Sequence, residues 1–276
     1  MSKIFYSLSF LIVIGFSAKA HDNIIIRNDE TVKTNVVQFD EKEVYFQEYA
    51  KDLESIRKPF FSLRIHSGYG YITANSNAAL NKMVSYGYDL AAAKDYYNRF
   101  RNTLLTGASF HFTPFQYKYY ALGLGLTYIN QTSSSSITGW VDPSDGVHLQ
   151  YGTYTETIYT NLYAFSIRHN LFLDKQKQIT LYEESGMGLL TYRNEHQFIY
   201  TPLLLKAFSP GYYTKAGVEV DLLKWLSFDI NAGFFWSFFN HFSVDNGYSV
   251  QQNSLPTGQY ESLAKVTIEA GLSFKF

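Results

Sequence analysis

Charged residues recur at alternate positions of segments whose hydrophobic pattern is typical of β-strands. Along 210–221, Lys215, Glu219 and Asp221 alternate with apolar residues, and Asp229 does the same along 225–238. Cations and carboxylates on one face can form ion pairs or line a path for ions. The full set comprises Arg64, Arg168, Lys215, Lys265 and Lys275 on the cationic side, and Glu184, Glu219, Asp221, Asp229 and Glu269 on the anionic side.

An unpaired ion in a low-dielectric interior costs several kcal/mol, so we expect these balanced charges to be paired. Lys215 and Glu219 share one face of a single strand, while Asp229 and Lys265 lie on neighbouring strands and are placed to pair. Two interpretations stay open: a salt-bridged interior that closes the fold, or a narrow gated path for ions or small solutes. We define the lumen charge network as Arg64, Arg168, Lys215, Glu219, Asp229, Lys265, Glu269 and Lys275.

A second group has the residue types of a nucleophilic hydrolase: His241 and Ser243 after a strand, with Glu261 across the last loop. The order and position are similar to those of lipid A deacylase barrels. The alternation of residues along the preceding strand argues against this activity. Its odd-numbered residues face inward, whereas a lipid-cleaving site must face the membrane. We therefore expect no catalytic residues here, only an interfacial His and a loop Ser.

Other site chemistries find no support in the sequence. The seven histidines show no H-x-x-x-H spacing, and 142–146 (Asp-Pro-Ser-Asp-Gly) lacks the alternating oxygen ligands of a calcium loop. Cysteine is absent, which excludes thiolate zinc sites and cysteine nucleophiles. A net charge of −1 gives no indication of a nucleic-acid partner. We expect no cofactor and no metal.

The first twenty residues have the pattern of a secretory signal peptide. Lys3 precedes an apolar run over 4–16, and Ala18-Lys19-Ala20 forms a cleavage site. The alternative is an uncleaved anchor. We predict that the mature chain begins at His21, and no later segment approaches 18 uninterrupted apolar residues.

Residues 21–59 are richer in charge than the rest of the mature chain and contain three short strand-like runs. Asp22, Ile24, Asn28, Val32 and Val36 match a repeat-like segment that often precedes barrels in secreted Bacteroidota proteins, which 21–59 resembles. The position after Asn28 departs from that pattern, because it is Asp where Gly is usual. We expect a small periplasmic β-meander and a tether over 50–58; the alternative is a solvated linker.

From residue 60 onward the dominant hydrophobic period is two. We predict strands at 60–73, 103–114, 119–130, 154–171, 178–192, 210–221, 225–238 and 264–276. Runs of 12 to 18 residues exceed the usual strand of a globular sheet, and aromatics border the apolar faces. Tilted strands that cross a bilayer between two aromatic girdles have these properties.

The connections alternate in length, with short ones at 115–118, 172–177 and 222–224 and long ones at 74–102, 131–153, 193–209 and 239–262. All six prolines are predicted to lie in connections or at strand ends, because proline cannot donate to a sheet ladder. An even strand count puts both termini on the short-turn, periplasmic side. Glu183 and Glu184 are adjacent, so one must face lipid, and we expect one of them near a strand end or in a bulge.

The chain ends on two outward aromatics, Phe274 and Phe276, in a pattern that resembles the C-terminal signal read by the barrel-assembly machinery. With the other features, 60–276 resembles the eight-stranded outer-membrane β-barrel family of the OmpA-like or OmpW-like class, in a Bacteroidota-type version. The resemblance implies an outer-membrane location, among outer-membrane lipid and lipopolysaccharide.

The expected function is a non-enzymatic envelope protein, structural or adhesive through its outer loops. The loop over 74–102 holds four tyrosines and an Ala91-Ala92-Ala93 run that suggests a helical turn, and the loop over 131–153 holds Trp140. Such loops can bind a host or surface ligand, or pack on one another and the lipid headgroups. A narrow channel is the alternative, and a lipid A-modifying enzyme is a remote one.

Overall fold

The alternating segments form a ring of antiparallel strands. The computed structural model describes residues 58–73, 77–141, 150–174, 176–198, 201–256 and 260–276. The ring strands are β1 (Phe61–Ile72), β2 (Asn102–Tyr117), β3 (Tyr120–Val141), β4 (Gln150–Phe172), β5 (Ile179–Phe198), β6 (Thr201–Leu223), β7 (Leu226–Phe239) and β11 (Lys265–Lys275). Because β11 pairs with both β7 and β1, the ring closes, and the predicted eight-stranded antiparallel β-barrel is confirmed. The signal peptide and periplasmic meander predicted over 1–57 lie outside the described residues.

Burial along each strand is the inverse of that in a soluble sheet. In β11, Lys265 and Glu269 are buried, whereas Val266 and Ile268 between them are exposed. Alternate residues of a strand point to opposite faces, so one face of the sheet lines the interior and the other forms the outer wall. An eight-stranded barrel is just wide enough for inward side chains to fill it.

The outer wall carries an apolar belt between two aromatic rims. We define the apolar belt by its exposed members Leu63, Ile65, Phe110, Leu124, Leu126, Phe165, Ile167, Leu181, Met187, Leu189, Val218, Ile230, Ile268 and Leu272. One rim includes Tyr128 and Tyr163, whose ring centroids are 5.1 Å apart. The other includes Phe61, stacked on Phe112 and near Phe276, at the end where the chain makes its short turns. We call these ends the long-loop end and the short-turn end.

Two predicted long loops are largely strand. β3 continues to Val141 and β4 begins at Gln150, so much of 131–153 is a paired ribbon, and most of 193–209 belongs to β5 and β6. Beyond the Tyr128–Tyr163 rim the outward residues become Ser, Thr and Asn, which hid the alternation in the sequence. The inward residues Ile137 and Ile158 remain buried, so the two-residue period persists. We call residues 130–141 and 150–161 the outer ribbon.

Two of the five prolines that the structure describes lie in strand interiors, contrary to prediction, and Pro143 lies outside the described residues. Pro210 is in the middle of β6, but pairing of β6 with β7 starts only at Gly211. The N–H that proline lacks is therefore not needed for pairing with β7. Pro114 lies in β2 at an irregularity between Phe112 and Phe115, where the register with β3 shifts. Bulges and strand segments with one free edge are the places where a sheet tolerates proline.

Glu183 and Glu184 correct another expectation. The β4–β5 and β5–β6 ladders run through both residues without a register shift, and Glu183 is the fifth residue of β5. Glu184 is fully buried in the lumen, and Glu183 therefore faces outward, with Leu181 on one side and Ser185 followed by Met187 on the other. Neither a bulge nor a strand end accommodates this carboxylate.

The long-loop end carries two helices, α1 (Asn77–Ser85) and α2 (Leu90–Phe100), between β1 and β2. Asp89 caps α2 by accepting hydrogen bonds from the backbone N–H groups of Ala91 and Ala92, so the predicted helical turn is a longer helix. Between β7 and β11 lie β8 (His241–Asp245), β9 (Val250–Ser254) and the two-residue β10 (Glu261–Ser262). No helix among the described residues is long and apolar enough to cross a membrane.

Candidate functional site

The barrel interior is the first candidate site, and its centre is an ion pair between β1 and β7. Arg64 donates from Nε to Asp229 Oδ2 at 2.8 Å and from Nη2 to Oδ1 at 2.5 Å. Tyr182 on β5 donates its hydroxyl to the same Oδ1 at 2.8 Å. Both charged side chains are fully buried, so the bidentate geometry offsets their desolvation.

Gly271 leaves room for this pair. It lies opposite Asp229 in the β7–β11 ladder. A Cβ at this position would lie 2.6 Å from Asp229 Oδ2 and 3.0 Å from Arg64 Nε. Because Gly271 on β11 has no side chain, the Arg64 guanidinium on β1 can pass β11 and reach Asp229 on β7.

A second cluster surrounds Lys215. Its ammonium lies 3.4 Å from Glu184 Oε1 and 3.9 Å from Glu269 Oε2. Each carboxylate also faces an imidazole: His111 Nε2 is 3.4 Å from Glu184 and His66 Nε2 is 3.6 Å from Glu269. One buried cation thus joins two carboxylate–imidazole pairs from opposite sides.

The short-turn end is closed by ion pairs. Arg168 bonds to Glu219, and its guanidinium carbon lies 3.9 Å from the centroid of the Tyr182 ring. Lys275 bridges Glu219 and Asp221, and Lys58 bonds to Asp221 from the chain segment that enters the barrel. Gln116 fixes that segment, because it exchanges two hydrogen bonds with the Lys58 backbone at 3.0 and 2.9 Å.

The structure places all eight residues of the lumen charge network inside the barrel, but with partners that differ from the predicted ones. Lys215 and Glu219 contact different partners rather than each other. Asp229 and Lys265 are not paired either, because Lys265 lies opposite Phe235 in the ladder and Asp229 lies opposite Gly271. Within the described part of the chain, Lys265 Nζ has no hydrogen-bond partner.

Sequence reasoning missed several members of these clusters, namely Lys58, His66, His111, Tyr182 and Tyr213. Strand parity was a sufficient signal for three of them, since His66 shares a face with Arg64, Tyr182 with Glu184, and Tyr213 with Lys215. Lys58 was assigned to a tether. Tyr213 donates to Glu184 Oε1 at 2.5 Å and so links the Lys215 cluster to the side chains nearer the long-loop end.

An apolar layer fills the lumen between the charges and the long-loop end. It consists of Leu105, Ile129, Ile158, Leu162, Leu190, Tyr192, Tyr213, Phe235, Phe239 and Leu263, all buried. On β5 it begins six residues beyond Glu184, and Phe100 of α2 packs against it from above. Lys265 lies at this level, which explains why it has no carboxylate within reach.

Helix α2 is anchored over the lumen by a carboxylate. Glu156 Oε2 accepts from Tyr96 at 2.6 Å and from Tyr154 at 3.3 Å, and its Oε1 accepts from Asn194 at 2.6 Å. The side chain of Tyr96, a residue of α2, is fully buried. Burial and the neighbouring Glu156 raise the pKa of Tyr96, which favours its neutral, hydrogen-bonding form.

Two cavities within the described part of the interior are small. One of about 50 Å³ at the short-turn end is lined by Lys58, Ser62, Thr113 and Asn170 among others. One of about 10 Å³ lies beside Lys215 and the apolar layer. These volumes suit a few ordered waters rather than a solute.

The hydrolase trio is not assembled. His241 Nδ1 contacts Asn240 Oδ1 at 2.6 Å, and Ser243 Oγ donates to the Lys206 carbonyl at 3.4 Å. Glu261 lies on β10, which pairs with β7, whereas His241 and Ser243 lie on β8, which pairs with β6 and β9. Among the described residues, no three or more His, Cys, Asp or Glu side chains are arranged so that they could hold a metal ion.

The predicted assembly residues lie at the short-turn rim. Phe274 is paired with Leu63 across β1, and its ring centroid lies 6.3 Å from that of Trp225. Phe276 is exposed, and its backbone N–H donates to the Phe61 carbonyl at 3.0 Å.

No protein-family model matches the chain, and no curated protein matches its sequence. Several solved structures follow a similar chain path. The outer-membrane protease OmpT of Escherichia coli is 7% identical over 78% of this chain and 96% of its own, with a TM-score of 0.46. Neisserial surface protein A is 12% identical over 78% and 97%, with a TM-score of 0.41. A major outer-membrane protein of Thermus thermophilus is 11% identical over 78% and 99%, with a TM-score of 0.43. These similarities assign no activity to this chain.

Proposed function

We propose that this chain is a bacterial outer-membrane barrel whose filled lumen neither transports nor catalyses, and whose long-loop end presents a binding or adhesive surface. The observation that carries the proposal is the continuous packing of the lumen. Ion pairs at the short-turn end are followed by the Lys215 cluster, the apolar layer and helix α2. An ion crossing this interior would lose its hydration shell among buried aromatic and aliphatic side chains.

The apolar belt supports the membrane location. Its exposed Leu, Ile, Phe, Val and Met side chains lie in a band between two aromatic rims, as on the lipid-facing wall of membrane barrels. In this assignment the wall contacts outer-membrane lipid and lipopolysaccharide, and the barrel-assembly machinery reads Phe274 and Phe276. The short-turn end and residues 21–59 are periplasmic, and the chain is a Bacteroidota-type member of the OmpA-like or OmpW-like class.

The outer ribbon is the proposed contact surface. Its outward face carries cross-strand hydroxyl pairs, Ser134 with Thr157 and Thr138 with Thr153, each at 2.9 Å. At its tip Trp140 and Tyr151 are 61% and 62% exposed and meet edge to face, with ring centroids 5.4 Å apart. Exposed rings beside ordered hydroxyls can stack on and hydrogen-bond to a sugar or protein ligand, and the paired strands hold them in place.

A binding assay on intact cells tests this surface. Cells that display the protein are compared with cells that display the W140A/Y151A variant on host-cell or glycan-coated surfaces. The proposal expects binding by the wild type and a loss of about tenfold or more in the variant, which is typical of removing two aromatic anchors. The matched control is Trp225→Ala, which removes an exposed aromatic at the opposite rim and should leave binding unchanged. Equal binding by all three proteins would contradict the surface role.

The two alternatives make different predictions. A channel predicts single-channel currents that change on Lys215→Ala or Glu219→Ala. A lipid A-modifying enzyme predicts altered lipid A on overexpression, and loss of that change in His241→Ala or Ser243→Ala. We expect unchanged lipid A, because the three candidate side chains make no contact with one another.

A further inference from the structure

The outer wall has a polar patch within the apolar belt. It is formed by Glu183 on β5 and His169 on β4, which lie directly opposite each other in the ladder. Along β4 the outward neighbours of His169 are the apolar Leu171 and Ile167. Along β5, Leu181 lies on the short-turn side of Glu183, and Ser185, hydrogen-bonded to Thr214 at 3.0 Å, lies on the other side with Met187 beyond it. Within the described residues, Glu183 makes no hydrogen bond and no ion pair, with His169 or any other group.

A tyrosine orients the imidazole. His169 Nδ1 is 2.8 Å from the Tyr120 hydroxyl, which can donate to it. In the tautomer in which the Tyr120 hydroxyl donates to Nδ1, the ring N–H is on Nε2, because each nitrogen of a neutral imidazole is either a donor or an acceptor. The patch therefore presents one acceptor, the Glu183 carboxylate, and one donor, His169 Nε2, side by side on the wall.

The inference takes the apolar belt to lie in lipid, as proposed above. A carboxylate on a lipid-facing wall destabilises a barrel unless a partner satisfies it. Leu181 lies between Glu183 and the short-turn end, and toward the other end the hydroxyl of Ser185 is bonded to Thr214 and is followed by Met187 and Leu189. The partner must therefore be a group held at the same depth in the membrane.

We propose that this patch is a homodimer interface in which Glu183 of each barrel accepts a hydrogen bond from His169 of the other. A two-fold axis along the membrane normal gives both copies the same orientation. Glu183 and His169 are ladder partners at nearly the same level, so each meets its complement in the second copy. The small Ala216, which lies opposite Glu183 on the β6 side, permits close approach of the two walls.

Because the sequence contains no cysteine, one introduced cysteine is the only position at which a disulfide can form. Ser185, two residues from Glu183 and on the same face, is replaced by Cys, and Ser67→Cys on β1, across the ring from β5, is the matched control. The full mature chain is reconstituted in phosphatidylcholine vesicles and oxidised. We expect a disulfide-linked dimer of S185C and none of S67C. We expect Glu183→Leu or His169→Leu to weaken dimer formation about tenfold or more, as loss of charged hydrogen bonds requires.

Folding and insertion are scored separately by heat-modifiable migration on gels and by protease protection in the vesicles. Glu183→Leu should insert at least as well as the wild type, because an apolar side chain replaces a carboxylate facing lipid. Inserted S185C that cross-links no more than S67C would overturn the dimer while leaving the membrane assignment intact. Cross-linking in cells to a protein of another size, without a dimer in vesicles, would also overturn it. Failure of the wild type to insert would refute the membrane assignment on which the inference rests.

Discussion

Arg64 and Asp229, 165 residues apart in the chain, meet in the lumen through two parallel hydrogen bonds of 2.8 and 2.5 Å. They join the first strand of the barrel to the seventh, across the eighth strand that lies between them in the ring. The barrel therefore depends on a buried pair whose members are far apart in sequence and which must be complete to be tolerated.

Breaking this pair should strongly destabilise the fold. Asp229→Asn leaves the Arg64 charge buried without its main partner, which costs about 3–5 kcal/mol in comparable pairs. Urea unfolding in vesicles, followed by tryptophan fluorescence, measures the change. The double variant R64M/D229L removes both charges and should recover most of the lost stability. A loss below about 1 kcal/mol in Asp229→Asn would show that the pair is not structurally important.

Adding one carbon at Gly271 should disturb the same pair. Gly271→Ala places a Cβ 2.6 Å from Asp229 Oδ2, and we expect a destabilisation of about 1–3 kcal/mol, as for other overpacked interiors. Gly70→Ala is the matched control, since a Cβ there meets its nearest atoms at an ordinary 3.4 Å. Unfolding in the same urea assay should separate the two variants. Equal stability would indicate that the lumen is looser than its packing suggests.

Two lumen lysines should respond with opposite signs. Lys265 is buried beside Phe235 without a polar partner, so Lys265→Met should raise the free energy of unfolding by about 1–3 kcal/mol. Lys215 lies between Glu184 and Glu269, so Lys215→Met should lower it, because Glu184 loses its lysine and Glu269 keeps only Arg64, at 3.9 Å, among the described cations. Side-chain volume is conserved in both variants. The same sign of change in both would contradict the assigned partners.

Helix α2 should loosen when its link to the wall is removed. Tyr96→Phe deletes the 2.6 Å hydrogen bond to Glu156, worth about 1.5–3 kcal/mol for a charged acceptor. Hydrogen exchange of the α2 backbone should accelerate while exchange in the barrel strands stays unchanged. Tyr97→Phe is the control, because the Tyr97 hydroxyl makes no hydrogen bond within the described residues. Equal exchange in both variants would mean that apolar packing alone holds the helix.

The barrel could be predicted from the sequence because its alternation is strong where lipid demands apolar residues. In β11, Val266, Ile268 and Leu272 alternate with buried polar residues, and parity alone assigns each face. The outer ribbon was missed for the converse reason: beyond the Tyr128–Tyr163 rim both faces are polar or mixed. Period-two hydrophobicity disappears there although the backbone ladder continues to Val141.

The pairing inside the lumen could not be predicted. The alternation of residues along a strand shows which side chains face the lumen, but not which of them lie opposite one another on neighbouring strands. Asp229 and Lys265 share a lumen, yet the ladder places Gly271 opposite Asp229 and Phe235 opposite Lys265. Register follows from the combined packing of all eight strands. The position of Glu183 illustrates the same limit, since the adjacent Glu184 is held inward by Lys215, His111 and Tyr213, and Glu183 must then face outward.

Single-channel recording tests the closed lumen most directly. The mature chain, residues 21–276, is refolded into a planar bilayer, and insertion is verified by heat-modifiable migration of the same sample. The packed apolar layer predicts a folded barrel that passes no steady current at physiological salt. Reproducible unitary openings that shift on Lys215→Ala would contradict this account and identify the charged interior as a conduction path.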